Sequence, residues 1–262
     1  MISVIMGVKD AREEELRAAI ESITAQSYKE WEYIICDDGS VNNTYKVLTE
    51  YAEADSRIKI IRNEKNQGLA YSLNRCIKEA QGEYIARMDA DDISAQDRLE
   101  SQLEFLQQHE EYAVVGCFSE LIDESGVWGR RQMPVAPEKN DFLWGSPFMH
   151  PTVMMRREVL EAVGGYRVAR ETLRLEDYDM FMRMYIEGYK GANLNRYLYQ
   201  FREDKAAFGR KKYSYRIDEV KIRAMYFGRL GLLPKGYLYM IKPLIVGLIP
   251  QKVLRRLRKE SC

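Results

Sequence analysis

The chain is poor in the residues that staple small or exported domains. Its four cysteines, Cys36, Cys76, Cys117 and Cys262, lie far apart in 262 residues and form no C-x-x-C pair. That excludes a disulfide scaffold and fits a reducing compartment. No apolar run approaches the roughly 20 residues a membrane-spanning helix needs. The longest uncharged stretch of the apolar C-terminal region, residues 243–251, is too short. The start, Met1-Ile2-Ser3-Val4-Ile5-Met6, lacks the basic and long apolar parts of an export signal, so the mature chain is expected to begin at Met1. G-x-G-x-x-G and G-x-x-x-x-G-K-[ST] are missing too, which removes the fingerprints of a dehydrogenase and a P-loop ATPase.

What is present is ordinary for a globular protein, with 46% hydrophobic and 11% aromatic residues. This length suits one large domain with an appendage rather than two full domains. Net charge is zero, 40 Lys and Arg against 40 Asp and Glu, but residues 207–262 carry 14 basic against 3 acidic side chains. An acidic body argues against a nucleic-acid partner, whereas the basic end suits an anionic surface.

In the first ninety residues β-branched runs alternate with helical periodicity. Residues 2–8, 32–36, 58–61 and 84–88 read as strands. Leu16, Ala19, Ile20 and Ile23, then Thr44, Val47, Leu48 and Tyr51, then Leu69, Leu73, Ile77 and Ala80 each make one apolar helical stripe. Strict alternation predicts right-handed crossovers and a Rossmann-like α/β fold, its mainly parallel sheet covered on both faces. Further on, a helix is expected over 96–109, a strand over 112–122, a hairpin to 133, a short strand over 152–156, a helix over 176–187 and a strand over 197–202.

Each early strand runs into polar residues: Gly7-Val8-Lys9-Asp10, Asp37-Asp38-Gly39-Ser40, Asn63-Glu64-Lys65-Asn66-Gln67-Gly68 and Asp89-Ala90-Asp91-Asp92. In an open parallel sheet these ends share one crevice, where ligands bind. Helix capping is an alternative reading of Asp37, Asp38 and Ser40. Three carboxylates in four residues repel one another unless a cation compensates them. Oxygen ligands alone select Mg²⁺ or Mn²⁺, and phosphate oxygens can complete the shell.

These residues resemble family 2 glycosyltransferases of the GT-A fold. The resemblance rests on Ser3-Val4-Ile5-Met6, Asp37-Asp38-Gly39-Ser40, Asn66-Gln67-Gly68-Leu69 with Asn74, and the run from Gly82 to Asp92. His150-Pro151-Thr152 and Glu176-Asp177-Tyr178-Asp179 continue it, so that it covers residues 2 to about 203. The resemblance implies an inverting transfer from a nucleoside diphosphate sugar, with UDP favoured, to a hydroxyl of a glycan or lipid-linked acceptor in surface-polysaccharide synthesis. It places Met6, Gly7, Val8, Asp38 and Asn66 on the donor, Asp89 at ribose and metal, Asp91 as principal metal ligand, and Arg202 at the diphosphate. Glu203-Asp204 stands where relatives often carry His. Asp177 is the implied base, with Glu176 and Asp179 as rivals, and His150 and Glu176 are implied on the acceptor.

The implied organisation is a GT-A domain over 1–205, with a donor half 1–95 and an acceptor half 96–205. A basic, partly helical extension follows over 206–262, its first helix expected over 213–233. That extension suits peripheral attachment to anionic lipid on the cytoplasmic face of a membrane, or packing on the body or on a partner subunit in an oligomer. Two other functions fit parts of the pattern: a sugar-phosphate nucleotidyltransferase, and a non-catalytic assembly subunit of a polysaccharide-synthesis complex.

Overall fold

The computed structural model describes residues 1–203 and 213–248. Strands and helices alternate at first: β1 (Ile2–Val8), α1 (Glu13–Thr24), β2 (Trp31–Asp37), α2 (Thr44–Ala54), β3 (Ile58–Arg62), α3 (Leu69–Glu79) and β4 (Tyr84–Arg87). Then come β5 (Ile93–Ser94), α4 (Arg98–Gln108), β6 (Tyr112–Asp123), β7 (Gly126–Arg131), β8 (Met154–Arg156), α5 (Arg157–Ala162) and α6 (Glu176–Ile186). β9 (Lys190–Arg202), α7 (Tyr213–Tyr226) and α8 (Gly236–Leu248) complete the described chain.

One sheet runs β3-β2-β1-β4-β8-β6-β9-β5, with β7 beside β6. The first four positions are parallel, as the alternation predicts. β8 then enters antiparallel between β4 and β6, and β9 returns parallel to β6. Period-two side chains feed two cores. Ile2, Val4, Met6 and Val8 of β1 pack with α1, α2 and α4, while Ile5 packs with α3, α5, α6 and α7. Both faces are therefore covered, and every polar β1, β2 and β4 terminus is driven to the same edge.

The sequence-expected elements recur with shifted limits. β9 starts at Lys190 instead of 197, because Lys190, Asn193, Asn195 and Arg196 dilute its apolar alternation. α5 has six residues, too few for periodicity to register. The helix expected over 213–233 ends at Tyr226, and a turn with Gly231 at φ 75° leads into α8. α7 is built into the body: Ile222, Tyr226 and Phe227 share the core of α6. Arg223, 1% exposed, donates from Nη1 to the carbonyls of Leu143 and Tyr239. The last part of the basic extension, 249–262, lies outside the described residues.

Candidate functional site

The loops after β2 and β3 are tied together by Asp38. Its carboxylate accepts from Asn63 Nδ2 at 2.7 Å, Gln67 N at 2.7 Å and Gly68 N at 2.8 Å. A carboxylate offers about four lone-pair sites, so one remains. Asp38 is 4% exposed and faces this loop rather than open solvent. Gly39, at φ 70°, is required here, because a Cβ would stand 2.8 Å from Lys65 Cα. Asn66 caps the same turn, its Oδ1 accepting from Gly68 N at 3.0 Å. Met6, Gly7 and Val8 end β1 beside it, and Val8 O accepts from Asp38 N at 2.8 Å.

The acidic cluster follows β4. Candidate ligand oxygens of Asp89, Asp91 and Asp92 lie within 4.8 Å of one another. Asp89 is ion-paired to Arg87 Nη1, and its backbone N donates to Tyr199 Oη at 3.2 Å. Asp91 reaches the surface, yet its carboxyl is pushed up to about 6, first by the protein around it and then by the Asp89 charge. Asp92 is 1% exposed and pushed well above the usual carboxylate range by burial, then by Asp89 and Asp91. One of its oxygens accepts from Arg202 N at 2.7 Å, while Oδ2 is buried without a well-formed hydrogen bond. A buried oxygen without a well-formed hydrogen bond, among crowded carboxylates, is what a hard divalent cation would satisfy, so the residues fit Mg²⁺ or Mn²⁺. Arg202 flanks the cluster, with Nε 3.0 Å from the Asp91 carbonyl and 3.5 Å from Glu15 Oε1.

Asp89 also lines a cavity of about 750 Å³. Arg87, Asp89, His150, Glu176 and Asp177 all line it. The last two begin α6, whose first turn is acidic and favoured there by the helix dipole. Burial, and then the Asp177 charge, pushes the Glu176 carboxyl up to about 7. His150 shares a 2.8 Å hydrogen bond with the Tyr166 hydroxyl, and burial followed by the Arg87 charge holds it neutral.

Asp179 is not part of this wall. It is fully buried and holds Arg167 Nε at 2.9 Å, Arg183 Nε at 2.8 Å and the Tyr226 hydroxyl at 2.8 Å. Its role is to lock α6 to the 164–175 loop and to α7. Removing one partner of a buried ion pair leaves the other charges unpaired, so Asp179→Ala is expected to cost about 3 kcal/mol of stability. Urea unfolding checks this; an unchanged midpoint would refute it.

The structure thus brings Asp89, His150, Glu176 and Asp177 around one cavity, with Asp91 grouped with Asp89 and Arg202 on the Asp91 carbonyl, neither of them in the lining. Met6, Gly7, Val8, Asp38 and Asn66 do not line that cavity themselves; they stand at the β1, β2 and β3 ends, where Asp38 and Asn66 hold Gln67 and Gly68, which do line it. Sequence reasoning passed over Arg87, which is 1% exposed with an unpartnered Nε. An arginine closing the otherwise apolar strand Tyr84-Ile85-Ala86-Arg87 was the available signal. It also passed over Arg98, fully buried, whose Nη1 donates to the carbonyls of Arg87 and Pro151 and so ties the acidic loop to the His150 turn.

Comparison with known proteins gives the family and the fold. Residues 3–164 match the family model described as Glycosyl transferase family 2. A Bacillus subtilis (strain 168) protein carrying the name glycosyltransferase EpsE is 44% identical over 260 residues, covering 99% of this chain and 93% of that one. The crystal structure of S. aureus TarS 1–349 in complex with UDP-GlcNAc superposes with a TM-score of 0.72 at 19% identity, over 92% of this chain and 72% of that one. The mannosyltransferase PcManGT from Pyrobaculum calidifontis, in complex with GDP-Man and Mn²⁺, gives 0.64 at 18% identity, over 99% and 79%. The latter two likenesses establish the shared GT-A fold.

Proposed function

The chain belongs to glycosyl transferase family 2, a glycosyltransferase family, and from that premise we propose an inverting, metal-dependent transfer from a UDP-sugar to a hydroxyl of a lipid-linked glycan in surface-polysaccharide synthesis. The observation that carries the proposal is Asp89, which belongs at once to the acidic cluster and to the wall of the cavity that Glu176 and Asp177 face. A leaving diphosphate at the cluster and an attacking hydroxyl in the cavity would then meet across one residue.

Residues 1–95 make the donor half and 96–205 the acceptor half. Met6, Gly7 and Val8 wall the base, Asp38 offers it the remaining lone-pair site, and Asn66 holds the turn between them. Asp89 and Asp91 would hold the divalent cation, with the buried Asp92 Oδ2, which lacks a well-formed hydrogen bond, beside them. A cation held there supplies Lewis-acid charge to the leaving diphosphate, so no protein general acid is needed. Arg202 donates to the same diphosphate. Asp177 removes the proton from the acceptor hydroxyl, while neutral His150 and Glu176 orient the acceptor. Among the described residues no helix is long and apolar enough to cross a membrane; we propose cytoplasmic action at the inner membrane surface.

Isothermal titration with UDP, with and without Mn²⁺, tests the donor part. UDP binding is expected to require Mn²⁺ and to weaken as pH falls from about 7 to 5. The sign follows from Asp91: its carboxyl titrates at about 6, so below that pH a proton competes with the cation. UDP binding indifferent to Mn²⁺ would end the metal-dependent reading. Release of nucleoside diphosphate from a panel of sugar donors then identifies the sugar.

A further inference from the structure

α8 is apolar but for Lys242, and the body covers only one side of it. Tyr239 and Met240 pack against the core below. Outward, Leu238, Ile241, Ile245 and Leu248 recur at intervals of three and four residues and are 76%, 53%, 58% and 75% exposed. A helix apolar on both sides is normally buried on both, so this face is made to meet something.

Trp144 extends the same surface. It is 65% exposed and packs edge-on against Tyr239 at 5.0 Å, with Lys242 Nζ 4.5 Å from its ring and 3.2 Å from its carbonyl oxygen. Ser146, two residues on, lines the site cavity, so this patch flanks the acceptor side. Lys242 is the lone charged residue of α8, Lys235 precedes the helix, and Lys252, Arg255, Arg256, Arg258 and Lys259 follow against one acid, Glu260.

We propose that the outer face of α8, together with Trp144, docks on the surface of an anionic lipid bilayer. An exposed aliphatic stripe with an aromatic at its border and basic flanks is the pattern that seats a helix in the plane of a charged interface. The thirteen described residues of α8, one of them Pro243, are too few to span the apolar core. A second copy of the chain on this face would bring two basic sets together, which charge repulsion opposes. The inference deepens the proposed function by fixing the phase in which the acceptor is met, and it rests on that reading for the acceptor alone.

The test uses the full chain with vesicles of phosphatidylcholine, with or without phosphatidylglycerol. Sedimentation with the phosphatidylglycerol vesicles, its loss at high salt, and a blue shift of emission that disappears in Trp144→Phe are expected. The double variant Ile241→Glu, Ile245→Glu should bind these vesicles about tenfold more weakly or worse, with unchanged melting temperature and unchanged UDP–Mn²⁺ binding. Equal binding by the double variant, equal binding to neutral vesicles, or no binding by the parent chain would overturn the proposal. So would a parent dimer that the double variant dissolves. UDP–Mn²⁺ titration on the same samples separates the two failures: retained nucleotide binding without vesicle binding sinks the docking surface and leaves the transferase reading standing.

Discussion

Asp91→Asn is expected to remove sugar transfer, by about three orders of magnitude in kcat/KM, while leaving the fold as stable as before or more so. The two effects have one cause. Three carboxyl groups share a space of 4.8 Å, and the Asp91 carboxyl is pushed up to about 6, first by burial and then by the Asp89 charge, both of which disfavour its charged form. A carboxyl whose folded pKa is raised weakens the fold as pH rises from its ordinary value, 3.8, through the folded value near 6, and the loss is complete above it. Asparagine takes that unfavourable charge away, so the metal-free variant should melt at an equal or higher temperature than the parent above about pH 6. The parent, in turn, should gain melting temperature on Mn²⁺ addition at neutral pH and little at pH 5, and Asp91→Asn should lose that gain. Thermal melting with and without Mn²⁺, set beside nucleoside diphosphate release, reads both halves. A variant that keeps Mn²⁺-dependent turnover within tenfold of the parent would show that Asp91 is not the principal ligand.

How much of this was legible in the sequence follows the physics of each part. The β1 to β4 half announces itself because strands buried on both faces and helices with one apolar stripe have distinct periods, and both cores draw on them in full. The acidic run after β4 is legible for the opposite reason: charge clustered at a strand end has no place in a core. The second half is less periodic. β8 is three residues long, and nothing local says that it enters antiparallel between β4 and β6. The pairing of Arg167 and Arg183 on Asp179 spans a loop and a helix, so sequence alone left Asp179 among the candidate bases. Asp38 presents as a ligand residue in its motif, yet in the fold most of its lone pairs hold the 63–68 turn, a long-range contact that no spacing reveals. Arg87 stayed hidden because its ion pair with Asp89 runs between alternate residues at a strand end, where period-two reasoning places both on one side but not in contact.

Asp177→Asn should leave UDP–Mn²⁺ binding intact and lower kcat by about three orders of magnitude, within the range that a positioned general base contributes. Asp177 and Glu176 occupy one helix turn on the cavity wall, so the pair must be told apart. Glu176 titrates at about 7 partly because of the Asp177 charge beside it; neutralising Asp177 therefore lowers Glu176 toward its ordinary value of 4.5. If Glu176 were the base, Asp177→Asn would keep its turnover, and the acid limb of its kcat profile would move to lower pH as Glu176 ionises more readily. If Asp177 is the base, turnover is lost at every pH, and Glu176→Gln keeps a substantial kcat with a raised acceptor KM. The split between kcat loss in one variant and KM change in the other assigns the proton to a single carboxylate. Full turnover in Asp177→Asn would remove that residue from the role.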